Sequence, residues 1–110
     1  MKNYVQDGEA LDLLAPYEVS SGGGMLVGSI VAIAQGDALS GAPVVGVRRG
    51  VFVHAKTSAQ AWTQGAKIYW DNTAKVFTTT STSNTLCGVA AEAAANPSAT
   101  GTVLLDGAAR

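Results

Sequence analysis

Glycine, proline and short polar clusters break this chain of 110 residues about every 8–12 positions. That spacing belongs to short strands joined by tight turns, as in a small all-β sandwich or barrel. Glu9 to Leu14 reads as a first strand, ended by Ala15-Pro16. Tyr17-Glu18-Val19 is a short extended piece before the turn Ser20-Ser21-Gly22-Gly23-Gly24. Met25 to Ala34 reads as a central strand, with Gly28 a candidate break. Its run Ile30-Val31-Ala32-Ile33-Ala34 is apolar at every position, which predicts burial on both faces.

Pro43 to Arg48 and Gly50 to Lys56 form either paired strands or one bent strand, with Gly50 marking a bulge or bend. Side chains alternate across a strand, so Val51, Val53 and Ala55 share one face and Phe52, His54 and Lys56 the other. The first set is the expected core face, because the second is half polar. Thr57-Ser58-Ala59-Gln60-Ala61-Trp62 carries the one helical signal. Thr57 or Ser58 can cap a first turn and Gln64-Gly65 can stop it, which predicts one short helix near residues 58–63. Lys67 to Trp70 and Val76 to Thr79 flank an Asp/Asn-rich turn and read as a hairpin. Thr78 to Asn84 is a polar strand end or loop; Leu86 to Ala94 suits a helix by its Ala content and a strand by Gly88 and its flanking turns, and is read as a strand at least to Ala91; Asn96-Pro97-Ser98 is a turn, and Thr102 to Asp106 the last strand. With no linker visible, residues 1–8 are expected to form an extended N-terminal arm and residues 9–110 a single β domain.

Charge narrows the function classes. Only 14% of residues are charged, against about 25% in ordinary globular proteins. Nearly half the chain is small: 19 Ala, 13 Gly, 10 Thr and 8 Ser. Either these residues cover the surface or partner chains cover part of it. The net charge of −1, with Arg48-Arg49 the one adjacent basic pair, provides no electrostatic footprint for nucleic acid. The apolar fraction of 47% argues against disorder. One cysteine cannot form an intramolecular disulfide. The polar start Met1-Lys2-Asn3-Tyr4-Val5-Gln6-Asp7 lacks the apolar stretch of a secretory signal, and the glycine-rich run Gly22 to Ala34 is too short to span a bilayer.

Candidate chemistry is sparse. A Cys–His pair would have to use Cys87 and His54. Cys87 alternates with Val89 and Ala91 and reads as a small buried hydrophobe, and His54 as a strand residue facing solvent or an interface. A lone His with no second thiol cannot build a zinc site. The carboxylates fall mostly in turns or at strand ends, where Asp bonds nearby backbone. The run Ser20 to Gly24 lacks the lysine and hydroxyl of a phosphate loop, and the third glycine of a dinucleotide fingerprint falls on Val27. Without a basic groove, Trp62 and the Tyr69-Trp70 strand read as core or subunit-interface anchors rather than base-stacking platforms.

Several segments together resemble a known family. The opening Met1 to Glu9, the mid-chain Gly50-Val51-Phe52, the segment Ala61-Trp62-Thr63-Gln64-Gly65-Ala66-Lys67-Ile68-Tyr69-Trp70-Asp71, and the closing Leu86-Cys87-Gly88-Val89-Ala90 and Gly101-Thr102-Val103-Leu104-Leu105 are similar to the small tailed-bacteriophage capsid cement or decoration proteins. The resemblance spans essentially the full length. Cys87 stands where an aliphatic residue is expected, which hints at packing. The resemblance implies an all-β fold, a small barrel or β-tulip-like sandwich. It implies a virion protein on the outer capsid surface that binds and stabilises the assembled capsid through the major capsid protein and has no enzyme activity; symmetric self-association is the default for such contacts, so a homotrimer is expected, with no cofactor and no nucleic-acid or membrane partner. Met1, Lys2, Asn3, Tyr4, Val5 and Gln6 are the expected contact residues, since this arm has no core pattern yet carries Tyr4 and Val5. Two other readings stay open in the sequence. One is a virion-surface carbohydrate-binding domain using exposed Trp or Tyr. The other is a small hydrolase with His54 near Cys87 or near a carboxylate pair.

Overall fold

A computed structural model describes residues 10–107. These residues form nine strands and no helix: β1 (Ala10–Leu14), β2 (Gly24–Val27), β3 (Ile30–Ala34), β4 (Pro43–Val47), β5 (Arg49–Ala55), β6 (Lys67–Asp71), β7 (Val76–Thr78), β8 (Thr85–Ala90) and β9 (Thr100–Asp106). They build two antiparallel sheets, a four-stranded one in the order β1-β4-β3-β2 and a five-stranded one in the order β5-β9-β8-β6-β7. The expectation of an all-β fold holds, but no barrel closes. Lys56 makes one parallel bridge to Phe77 beside β7, and the five-stranded sheet otherwise stays open.

Met25 to Ala34 is a hairpin rather than one strand. Gly28 and Ser29 turn the chain between the paired residues Val27 and Ile30, with Gly28 at φ +61°. Two-residue hairpin turns need positive φ, and glycine adopts it without a Cβ clash. The hairpin leaves β3 between β2 and β4, where the two-sided burial expected of it is found. Val31 and Ile33 enter a core with Trp62, Ile68, Trp70, Phe77, Val103 and Leu105. Ala32 and Ala34 enter a second core with Met25, Val44, Ala15 and Val19.

β4 and β5 are one bent stretch interrupted at Arg48 that passes from one sheet to the other. β4 pairs with β1 and β3, β5 pairs with β9, and the two do not pair with each other. The expected faces of β5 are reversed. Val51 and Val53 are 61% and 70% exposed, while Phe52, His54 and Lys56 point inward. Strand alternation forces a single choice for the whole segment. Burying Phe52 against the large core, stacking His54 on aromatic rings and satisfying the Lys56 ammonium outweigh burial of two valines. The polar character of a residue is thus no guide to its face when every polar atom finds a partner.

The short helix expected near residues 58–63 is absent. Its backbone groups are spent on other segments: the Thr57 N–H donates to the Phe77 carbonyl (3.0 Å), and Trp62 and Ala94 exchange both backbone bonds (2.9 and 3.0 Å). The Lys56 ammonium donates to the carbonyls of Thr57 and Gln60. The Gln60 side-chain oxygen accepts from the Thr79 N–H (3.0 Å) and the Thr78 hydroxyl (3.2 Å). A helix of one or two turns is marginal by itself and yields to such competition.

Both indoles are seated on glycines. A Cβ at Gly24 would stand 2.5 Å from the Trp70 ring, and one at Gly101 would stand 2.4 Å from the Trp62 ring. These two close approaches are what allow Trp62 and Trp70 to be 2% and 1% exposed in so small a protein.

Candidate functional site

One cleft, of about 530 Å³, opens where the two sheets meet; Tyr17, Glu18, Ser20, Gly24, His54 and Lys75 line it. The β1–β2 loop brings Tyr17 and Glu18, β5 brings His54, and the β6–β7 turn brings Lys75. The Asp71 carboxylate shapes that turn by accepting the N–H groups of Thr73 (2.9 Å) and Ala74 (3.1 Å), and the Asp71 carbonyl accepts from Lys75 (2.8 Å). Lys75 thereby takes φ +59° and carries its ammonium 4.2 Å from the centre of the Tyr17 ring, with the Asn72 carbonyl as a further acceptor.

Tyr17 and His54 in the cleft are both hydrogen-bonded to nearby groups. The Tyr17 hydroxyl lies 3.3 Å from the Gly24 carbonyl and 3.1 Å from Asn72 Oδ1, which also accepts from Trp70 Nε1 (3.1 Å). Burial pushes the Tyr17 phenol above its ordinary pKa, with hydrogen bonding acting in the opposite direction. His54 Nε2 accepts the Gly24 N–H (3.0 Å), and its Nδ1 lies 3.1 Å from the Ala55 carbonyl. The imidazole packs edge-on against Trp70 and Phe77, with centroids 5.5 and 5.1 Å away.

This arrangement leaves His54 no lone pair with which to activate a nucleophile. Cys87 is buried in β8, and its thiol lies 3.4 Å from the Ile68 carbonyl, so each of the two residues is committed to a different partner. Among the described residues, no group of three or more His, Cys, Asp or Glu side chains converges as a metal site. Trp62 and Trp70 have no exposed ring face on which a sugar could stack.

The surface is more informative than the cleft. Val51 and Leu104 are directly opposed on β5 and β9, and Val53 stands one alternation further along β5. All three are exposed, on the outer face of the five-stranded sheet. β5 is also the edge strand of that sheet. Sequence reasoning placed Val51 and Val53 inside; the signal that could have corrected it was Phe52, whose large ring on the opposite face competes for the core. Leu14 and Leu39 are exposed on the four-stranded sheet and its loop. The expected contact residues Met1 to Gln6 lie outside the described residues.

A family described as phage cement protein matches residues 5–105. The chain belongs to the phage cement protein family. It has no significant match among curated proteins or among solved structures. Cement-family membership gives the chain a structural, capsid-associated role in the virion and argues against catalysis. The cleft fits that role, since its side chains hold two sheets together and contain no paired nucleophile and base.

Proposed function

We propose that this cement protein binds the outer surface of the assembled capsid and holds neighbouring major capsid protein subunits together. The family match over residues 5–105 carries the reading. Two physical features support it. The chain has few charges to desolvate, so flat faces rich in Thr, Ala and Gly can be covered at low electrostatic cost. The exposed row of Val51, Val53 and Leu104 lies on the outer face of the five-stranded sheet, beside β5, an edge strand among the described residues, and can bury apolar area against a partner. The chain acts as a homotrimer at three-fold or quasi-three-fold positions of the shell, and Met1 to Gln6 reach the major capsid protein. The deciding experiment mixes purified protein with undecorated capsids. Co-sedimentation and a higher temperature of capsid disruption are expected; absence of co-sedimentation overturns the reading. Deleting residues 1–6 is expected to abolish capsid binding and leave the fold intact, and unchanged binding removes the arm from the contact.

A further inference from the structure

The outer face of the five-stranded sheet carries an apolar stripe that crosses three strands. Val51 on β5 is directly opposed to Leu104 on β9, Leu104 to Val89 on β8, and Val53 stands one alternation further along β5. Val89 is half-buried and the other three are exposed. Lys67 on β6, opposite Val89, ends the stripe. Strand alternation in an antiparallel sheet usually places polar residues on the solvent side, so an apolar stripe there calls for a cover. At the start of β5 the stripe adjoins a depression of about 380 Å³ lined by Arg49, Gly50, Leu104, Leu105 and Asp106.

The first described residue stands close to the same corner. β1 runs antiparallel to β4, with Leu14 opposite Pro43 and Ala10 opposite Val47. The chain that precedes Ala10 therefore leaves β1 beside Val47, heading the way β4 runs into Arg48 and β5. Val51 and Val53 lie about 13 and 20 Å beyond Val47 at the rise of an extended strand. Nine residues reach up to about 30 Å. Residues 1–9 lie outside the described residues, but their sequence is suited to what lies within that reach. Asp7 and Glu9, next to the attachment point, are acidic, and Tyr4 and Val5, further out, are apolar. Arg48 and Arg49 are the one adjacent basic pair in the chain, and Asp106, opposite Arg49, offsets part of their charge.

We propose that, off the capsid, residues 1–9 fold back across the outer face of their own five-stranded sheet, with Asp7 and Glu9 at the Arg48–Arg49 corner and Tyr4 and Val5 over Val51, Val53 and Leu104. Charge sets the near end of the contact and apolar burial the far end; an aromatic ring on β-branched neighbours is a favourable pairing on a sheet. Tethering decides between this arm and that of a second copy. A short tether holds its segment at an effective concentration of about millimolar, so in dilute solution the chain's own arm takes the face first. The inference stands independently of the capsid-binding reading. Its consequence for that reading is one of order: an arm that passes to a capsid subunit uncovers the stripe in the same step.

Nuclear magnetic resonance on the full 110-residue chain tests the fold-back. Nuclear Overhauser contacts are expected between the Tyr4 ring protons and the methyl groups of Val51, Val53 and Leu104, with relative intensities unchanged on dilution. A Tyr4 ring with no contact to these methyls overturns the proposal. Contacts that arise only between differently labelled chains in a mixed sample also overturn it and give the face to a second copy. Asp7→Lys combined with Glu9→Lys sets like charges against Arg48 and Arg49. It should lower the ratio of docked to undocked arm by about 2-fold or more, the size of a surface ion pair, and weaken the same contacts accordingly. Undiminished contacts in that variant would refute the guiding role of the corner and the proposed placement with it.

Discussion

Gly101 is a glycine because Trp62 occupies the space its Cβ would need, and this makes the position sensitive to the smallest possible change. Gly101→Ala forces either the indole or β9 to move, at a cost of about 1–3 kcal/mol for overpacking. Urea unfolding measures it, and a loss below about 0.5 kcal/mol would show that the ring shifts freely. Tyr17 makes a prediction of the opposite kind, visible only in alkali. Its folded-state pKa is raised, so as the pH passes about 10 the unfolded chain gives up the phenol proton while the folded chain retains it. Stability is therefore present below that pH and is lost above it. Tyr17→Phe should show a shallower alkaline loss of stability than wild type, and identical slopes from pH 9 to 11 would remove the assignment. Gln60 ties its loop to one consecutive stretch through one side chain, accepting from Thr78 and Thr79 and donating to Thr80. Gln60→Ala strands the Thr78 hydroxyl and the Thr79 N–H and should cost about 1–3 kcal/mol in urea unfolding. A cost near zero would mean that water replaces the amide without penalty.

At the level of elements, the strands were legible where a single property determined them. The unbroken apolar run of β3 marked it as buried on two sides, and the Asp/Asn turn between β6 and β7 marked that hairpin, because both signals are local. Two elements were not legible, for physical reasons. The face of β5 depended on contacts across the molecule: His54 finds its acceptor role thirty residues away at Gly24, and no local pattern encodes that partner. The segment around Gln60 looked helical because helix propensity is local, whereas its backbone bonds run to Phe77 and Ala94. The cleft was equally hidden, since Tyr17, His54 and Lys75 come from three separate elements. The reversal of β5 carries its own prediction. Replacing Val51 and Val53 together by Thr keeps β-branched side chains on the exposed face, so unfolding free energy should change by no more than about 1 kcal/mol, two surface sites at about 0.5 each. Capsid co-sedimentation should weaken. Full binding by a folded double variant would exclude this row from the contact.

Across the whole molecule, the two sheets do not have separate interiors. β3 supplies Val31 and Ile33 to one core and Ala32 and Ala34 to the other, so one strand is the wall common to both rooms. A wall of this kind abolishes independent failure. Neither sheet can shed its packing without exposing the neighbour's, and unfolding should be a single transition with coincident fluorescence and circular dichroism curves. Hydrogen exchange at the amides of Val31 to Ala34 should be as slow as at Val103 and Leu105; faster exchange in β3 would show that the smaller core opens by itself. For a capsid-associated protein, this sets the manner of giving way. Under load it would hold its shape up to a limit and then fail as one unit, with no softened, half-unfolded intermediate.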